Sequence, residues 1–266
     1  MIHSTAIVAP GAVIGAGTEI GPYSVIECEV QIGPGCTVGP YVHITGRTRI
    51  GAKNLFHTGC VIGDAPQDLK YKGDPTRLAI GDNNVFRENV TVHRSNTSGT
   101  QTIIGSHNLL MAGAHVGHNS EVGSHVIIAN GALLGGHVSV ADRAFISGNC
   151  LVHQFVRVGT LALMQGGAAI SKDLPPFTVA RGDNGICGLN TVGLRRAGFT
   201  TSQRLVLKKV YHALFRSGLP LSRAISAARA EFSQEPATIL LDFIANSRRG
   251  VVSERRLGRR TLTDGD

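Results

Sequence analysis

Residues 112–125 read AGAHVGHNSEVGSH and place His115, His118 and His125 within eleven residues. Imidazole changes charge near neutral pH, so a cluster of this kind suits a general base or a metal centre. A repeat that stacks like side chains into a ladder would also produce it. Spacing along the chain does not separate the three, so the elements that carry the histidines have to be placed first.

The placement follows from a period of six. Every sixth residue from Ile2 to Ile170 gives 29 positions, of which 24 are aliphatic, two are Phe and three are polar. The polar ones, Asp68, Asp74 and Ser98, lie in two segments that break the pattern, 63–79 and 93–102. Gly follows the aliphatic residue twelve times, as in Ile14-Gly15 and Val122-Gly123. A helix would need a period of 3.6 and isolated strands a period of two. A six-residue period with an inward aliphatic residue is the pattern of a hexapeptide parallel β-helix, three hexads to each triangular turn. Gly at the corners suits backbone angles that a Cβ resists. Polar excursions on a rigid scaffold are the expected carriers of function.

The repeat ends near residues 172–184, and the domain reading is a coil over 1–184 and a helical domain over 185–266. Residues 200–218 form one helix, capped by Thr201 or Ser202 and turning Leu205, Leu207, Val210 and Leu214 inward. LSRAISAARAEF and PATILLDFIANSRRG form two more, the last stopped by Gly250, and a disordered tail follows about residue 252.

Composition narrows the function classes. The chain has 266 residues, 42% hydrophobic and 17% charged, which is globular. Net charge is +8, favouring an acidic partner or a phosphorylated ligand. Aromatic residues do not interleave with the basic ones, so nucleic acid is not the expected partner. Five cysteines without a CxxC fit a reducing cytosol. No signal peptide and no membrane span are evident.

Residues one turn of three hexads apart stack in a column. On that count His118, His137 and His153 come from three successive turns and fall within one residue of the same line. His115 stands in the hexad leading to that line, and His125 belongs to another side of the prism. Gly136 lies directly one turn above His118, and Gln154 above Gly136. A histidine beside a glycine backbone N–H is the minimum for acyl transfer, a base for a hydroxyl and a donor for an oxyanion. The histidine spacings do not match those of metal-binding hexapeptide enzymes, so no metal is expected.

Six strings carry a family resemblance: PQDLKY (66–71), LLMAGAHVGH (109–118), GGHVSV (135–140), VHQF (152–155), DLPPF (173–177) and GLNTVGLRRAGF (188–199). The chain resembles the UDP-N-acetylglucosamine O-acyltransferases of lipid A synthesis, a hexapeptide-repeat acyltransferase family, to about residue 252. The resemblance implies an all-β left-handed parallel β-helix followed by a small α-helical domain. It implies a cytoplasmic homotrimer with sites between subunits and no cofactor. The implied reaction moves an (R)-3-hydroxyacyl chain from acyl carrier protein to the glucosamine 3-position of UDP-N-acetylglucosamine. His118 would be the general base and the Gly136 N–H would hold the thioester oxyanion. Asp68 and Lys70 would contact sugar and phosphates. His115, His137, His153 and Gln154 would bind substrate, Asn190 and Arg196 would lie near the uridine diphosphate, and Gly166 would limit acyl-chain length.

Two positions depart from the family pattern. Asn119 follows the base where Asp is usual, and Val192 stands where Glu is usual. Both changes remove a carboxylate near the substrate, which leaves N-acylation of a 3-amino acceptor as the alternative activity. Another hexapeptide acyltransferase, or a hexapeptide protein that only binds, is the remaining alternative.

Overall fold

The computed structural model describes residues 1–254. Three sheets of nine, eight and eleven strands form the sides of a prism. Along the coil, neighbours within a sheet are every third strand in sequence, so each turn gives one strand to each side. The first side runs from Ile7–Val8 to Ala169–Ile170, and the second from Val13–Ile14 to Arg157–Val158. The third begins at Glu19–Ile20.

Register shows how the excursions are tolerated. Ile7 pairs with Val25, a turn of 18 residues. Val61 pairs with Thr91, 30 residues on, and Thr91 with His115, 24 on. The first excursion therefore adds two hexads and the second adds one, and the inward phase survives both. Strands Val61–Asp64, Arg77–Ile80, Thr91–His93 and Gln101–Ile104 run into the segments 63–79 and 93–102. The chain leaves the coil only over 65–76 and 94–100. Both loops leave from one corner, between the first and second sides, and His118 stands on that corner.

The inward residues form one continuous core. Ile26, Ile44, Ile62, Leu110, Ile128 and Ile146 are fully buried. Each contributes about 1.5–3 kcal/mol by burial. Phe56 and Phe86 stack inside the prism with ring centroids 4.7 Å apart.

The recurrent glycine proves to have a different cause from the one expected. Gly15 and Gly117 do not take left-handed angles. A Cβ on Gly15 would lie 2.5 Å from the backbone carbon of Gly33, and one on Gly117 would lie 2.8 Å from that of Gly135. These glycines let one turn sit close on the next. The left-handed angle falls later in the corner, on residues such as Asn119 (φ 58°) and His137 (φ 58°).

Beyond the coil, Thr178–Arg181 and Gly185–Leu189 form an antiparallel hairpin that extends the third sheet, a feature the hexad pattern does not announce. The division drawn at residue 184 falls in its turn. Among the described residues four helices follow: α1 (Thr191–Arg196), α2 (Thr201–Phe215), α3 (Leu221–Glu231) and α4 (Ala237–Ala245). The cap of α2 is Thr200, one residue before the expected candidates, because Gln203 completes a capping box with it. Leu207, Val210 and Leu214 are buried as expected, but Leu205 is exposed and Tyr211 takes an inward place. Helix α4 ends with Asn246 as its C-cap, ahead of Gly250.

The helices share a second apolar cluster, which meets the last turns of the coil through Leu161 and Phe177. Asp173 fixes this contact. Buried to 1% exposure, it accepts from Arg157 N and Nε, both at 2.9 Å, and from Ser247 Oγ at 2.8 Å. Ser253–Glu254 pairs with Gly185–Ile186, so the chain remains in the sheet just past residue 252. The rest of the expected tail lies outside the described residues. Among the described residues no helix is long and apolar enough to cross a membrane.

Candidate active site

His118 and the residues above it are held by the shared corner of the first and second sides. The strand His115–Val116 delivers the chain to that corner and Glu121–Val122 takes it away. Thr102 Oγ1 accepts the Asn119 N–H at 2.8 Å and fixes the turn. His118 Nδ1 lies 2.9 Å from Asn119 Oδ1. An amide oxygen only accepts, so the Nδ1 that meets it bears a proton, and in the neutral ring Nε2 is the lone pair.

Gly136 sits against that lone pair. A Cβ at position 136 would be 2.6 Å from both Nε2 and Cε1 of His118, so only glycine permits the present approach. The Gly136 N–H donates to no acceptor among the described residues. A ring nitrogen and a glycine whose N–H is unused thus lie side by side, groups that can serve a tetrahedral acyl intermediate as base and donor.

A groove of about 570 Å³ opens beside this spot. His115, His118, Gly136, His153 and Gln154 line it. Leu133 and Leu151, stacked above His115, are 44% and 49% exposed and give the groove an apolar floor. His137 does not line it. Its ring meets His118 edge-on at 5.2 Å and stacks on Phe155 at 4.6 Å, so the column above His118 continues through Phe155 and not through His153. His125 stacks on His107 at a different corner, consistent with its exclusion.

Burial lowers the pKa of His115 to about 4. It also lowers those of His93 and, with the charge of His118, His137. The shifts of all three favour the neutral ring. Asp68 reaches the same corner from the first excursion. The Lys70 N–H and the Asn96 amide hold its carboxyl below the usual range. Lys70 itself is exposed.

The remaining expected residues are elsewhere within this one chain. Asn190 caps α1, accepting from Gly193 N and donating to Leu161 O, both at 2.9 Å. Arg196 is exposed at the end of α1, and Gly166 stands on the corner before the first side. None of the three lines the groove.

The sequence reading missed His93, Asn96 and Asn184. His93 lines the groove with its Nδ1 buried and unpartnered, its ring edge-on to His115 at 4.9 Å. Counting the 24-residue offset of the second excursion would have placed it one turn below Gly117. Asn184 closes the far end, accepting from Ser171 N at 2.8 Å. No periodic signal marks Asn96 or Asn184.

Comparison with known proteins finds relatives along nearly the whole chain. Residues 173–252 match the model for domain 2 of UDP-N-acetylglucosamine O-acyltransferase, and residues 101–136 match the bacterial transferase hexapeptide model. The acyl-[acyl-carrier-protein]–UDP-N-acetylglucosamine O-acyltransferase of Chlorobaculum parvum is 54% identical over 94% of this chain and 96% of its own. That of Thermodesulfovibrio yellowstonii is 45% identical over 94% and 98%. LpxA of Acinetobacter baumannii superimposes with a TM-score of 0.91 at 39% identity, over 94% of this chain and 99% of its own. Similarity of this extent shows that the chain belongs to the acyl-[acyl-carrier-protein]–UDP-N-acetylglucosamine O-acyltransferase family.

Proposed function

We propose that this protein transfers an (R)-3-hydroxyacyl group from acyl carrier protein to the 3-hydroxyl of the glucosamine in UDP-N-acetylglucosamine, the first step of lipid A synthesis. The observation that carries the mechanism is the His118 ring, its Nδ1 engaged by Asn119 Oδ1, packed against Gly136, whose N–H meets no acceptor among the described residues. In this reading Nε2 takes the proton of the sugar hydroxyl as its oxygen attacks the thioester carbonyl. The Gly136 N–H holds the resulting oxyanion. The carrier thiolate then leaves and is protonated by the imidazolium, so the base is restored. The apolar floor of Leu133 and Leu151 suits the acyl chain, and Gly166 limits its length. Asp68 and Lys70 address the sugar and phosphates, with His115, His137, His153 and Gln154 around them. The reaction needs no metal or organic cofactor.

The active unit in this reading is a cytoplasmic homotrimer of left-handed coils, each capped by its own helical domain. Its support is the outer face of the third side, where Leu55, Val85, Leu109, Ile127, Phe145 and Leu163 follow one another turn by turn. Such a stripe calls for a partner surface. Asn190 and Arg196, remote from the groove of their own chain, would serve the uridine diphosphate in a neighbour's site. A net charge of +8 complements an acidic carrier.

The test is to mix the protein with 3-hydroxyacyl carrier proteins of graded length and either UDP-N-acetylglucosamine or its 3-amino analogue, reading products by mass. Acylation of the hydroxyl supports the proposal. Acylation of the amine alone would make Asn119 and Val192 marks of an N-acyltransferase, and no product with either would refute acyl transfer.

A further inference from the structure

The two excursion loops meet at Asn96, which neither the repeat nor the family strings single out. Its side-chain Nδ2 donates to Asp68 Oδ2 at 2.7 Å. Its backbone N–H donates to Asn119 Oδ1 at 3.0 Å, the oxygen that also faces His118 Nδ1. Thr100 Oγ1, on the same loop, lies 3.1 Å from Asn119 Nδ2.

We propose that Asn96 is a positioning residue for the base: by anchoring the second loop to Asp68, it locks the Asn119 amide so that His118 keeps its proton on Nδ1. This rests on the reading of His118 as the general base.

The reasoning starts from what an amide can do. Its oxygen accepts and its nitrogen donates. With oxygen toward His118, the ring proton sits on Nδ1 and Nε2 is free to take another. Were the amide to turn over, Nδ2 would donate to Nδ1, the proton would move to Nε2, and the base would be silenced. A carboxylate accepts with either oxygen and needs no such guard. With an amide at 119 the orientation has to be imposed from outside. A backbone N–H can meet only the oxygen, so the Asn96 N–H selects the productive face, and Thr100 supports it from the nitrogen side. Both groups belong to residues 94–100, and the Asn96 side chain ties that loop to a carboxylate held ionised on the other loop. The second loop thus replaces what a carboxylate at 119 would provide.

The test uses Asn96→Ala, Asn119→Asp and the double variant. Steady-state kinetics would be measured with a 3-hydroxyacyl carrier protein and UDP-N-acetylglucosamine. Nitrogen-15 shifts of the His118 ring, assigned by their loss in His118→Ala, report the tautomer directly. We expect N96A to lower kcat by ~10- to 100-fold, the size a misplaced catalytic group carries, with a smaller change in KM. In the double variant Asn119→Asp should restore kcat, because both carboxylate oxygens accept. The ring shifts should show the Nδ1–H form in the wild type, the Nε2–H form gaining in N96A, and a return in the double variant. A kcat for N96A within twofold of wild type, or a double variant as slow as N96A, would overturn the proposal. So would an Nε2–H ring in the wild type, a result that needs no variant to fold. If the wild type acylates no acceptor, the functional reading fails, while the ring shifts still decide the role of Asn96.

Discussion

In the proposed mechanism Gly136→Ala separates the two parts of the site, because it would keep the oxyanion donor and disturb only the base. The new Cβ would lie 2.6 Å from Nε2 and Cε1 of His118 and 3.1 Å from Cδ2. Ordinary contact begins near 3.4 Å, so the ring must withdraw by about 1 Å. Gly136 does not take a left-handed angle, so alanine places no backbone strain there. The coil should therefore form as before. A 1 Å displacement of a catalytic group costs ~100-fold in rate. We expect kcat to fall by that order with the melting temperature nearly unchanged, read by steady-state kinetics beside thermal unfolding. Gly117→Ala is the contrasting variant. Its Cβ would meet the backbone of Gly135 and Gly136 at 2.8 Å, so the loss should appear as instability. If G136A kept wild-type kcat, the close approach of Gly136 to the ring would have no catalytic meaning and the assignment of the pair would fail.

Three further outcomes follow from the same structure. Asp173→Ala leaves Arg157 without its carboxylate at the junction of coil and helices, and should cost ~3 kcal/mol, measured as the shift in denaturant midpoint. Burial holds the pKa of His115 at about 4 against an ordinary 6.5, so the unfolded chain binds that proton first. Stability from this group is complete above pH 6.5 and is lost as pH falls toward 4. The full loss is worth ~3 kcal/mol, and a His115→Gln variant should show a flatter unfolding profile across that window. A Cβ on Gly166 would meet only the Gly148 carbonyl, at 3.6 Å, so Gly166→Met should fold normally. Acyl-chain competition should then show a preference moved to shorter chains.

The coil was legible because its constraint is local and repeated. Each hexad must point one aliphatic residue inward, so a single list from Ile2 to Ile170 reveals the prism and puts Gly136 over His118. The same rule explains why the two loops do not disturb it, since they add whole hexads. The cause of the recurrent glycine was not legible. Angle and space leave the same residue in the sequence, and only the lack of room for a Cβ on Gly15, which would lie 2.5 Å from the Gly33 carbonyl carbon, separates them. The hairpin over 178–189 escaped because an antiparallel pair closing a coil has no hexad phase. Leu205 was misplaced because its apolar character resembles that of its buried neighbours, and Tyr211 holds the inward position through a bond to Glu254. Asn96 escaped for a related reason. Its role depends on two loops of different length converging on one corner, and neither loop has a period that fixes where its residues end.

The central claim is that His118 acts as the base of acyl transfer to UDP-N-acetylglucosamine. The most direct measurement is kcat/KM for that acceptor in the wild type and in His118→Ala, with assembly checked for both. The account predicts a fall of ~100- to 10,000-fold with assembly intact. A His118→Ala protein that assembles and keeps activity within tenfold of wild type would contradict it.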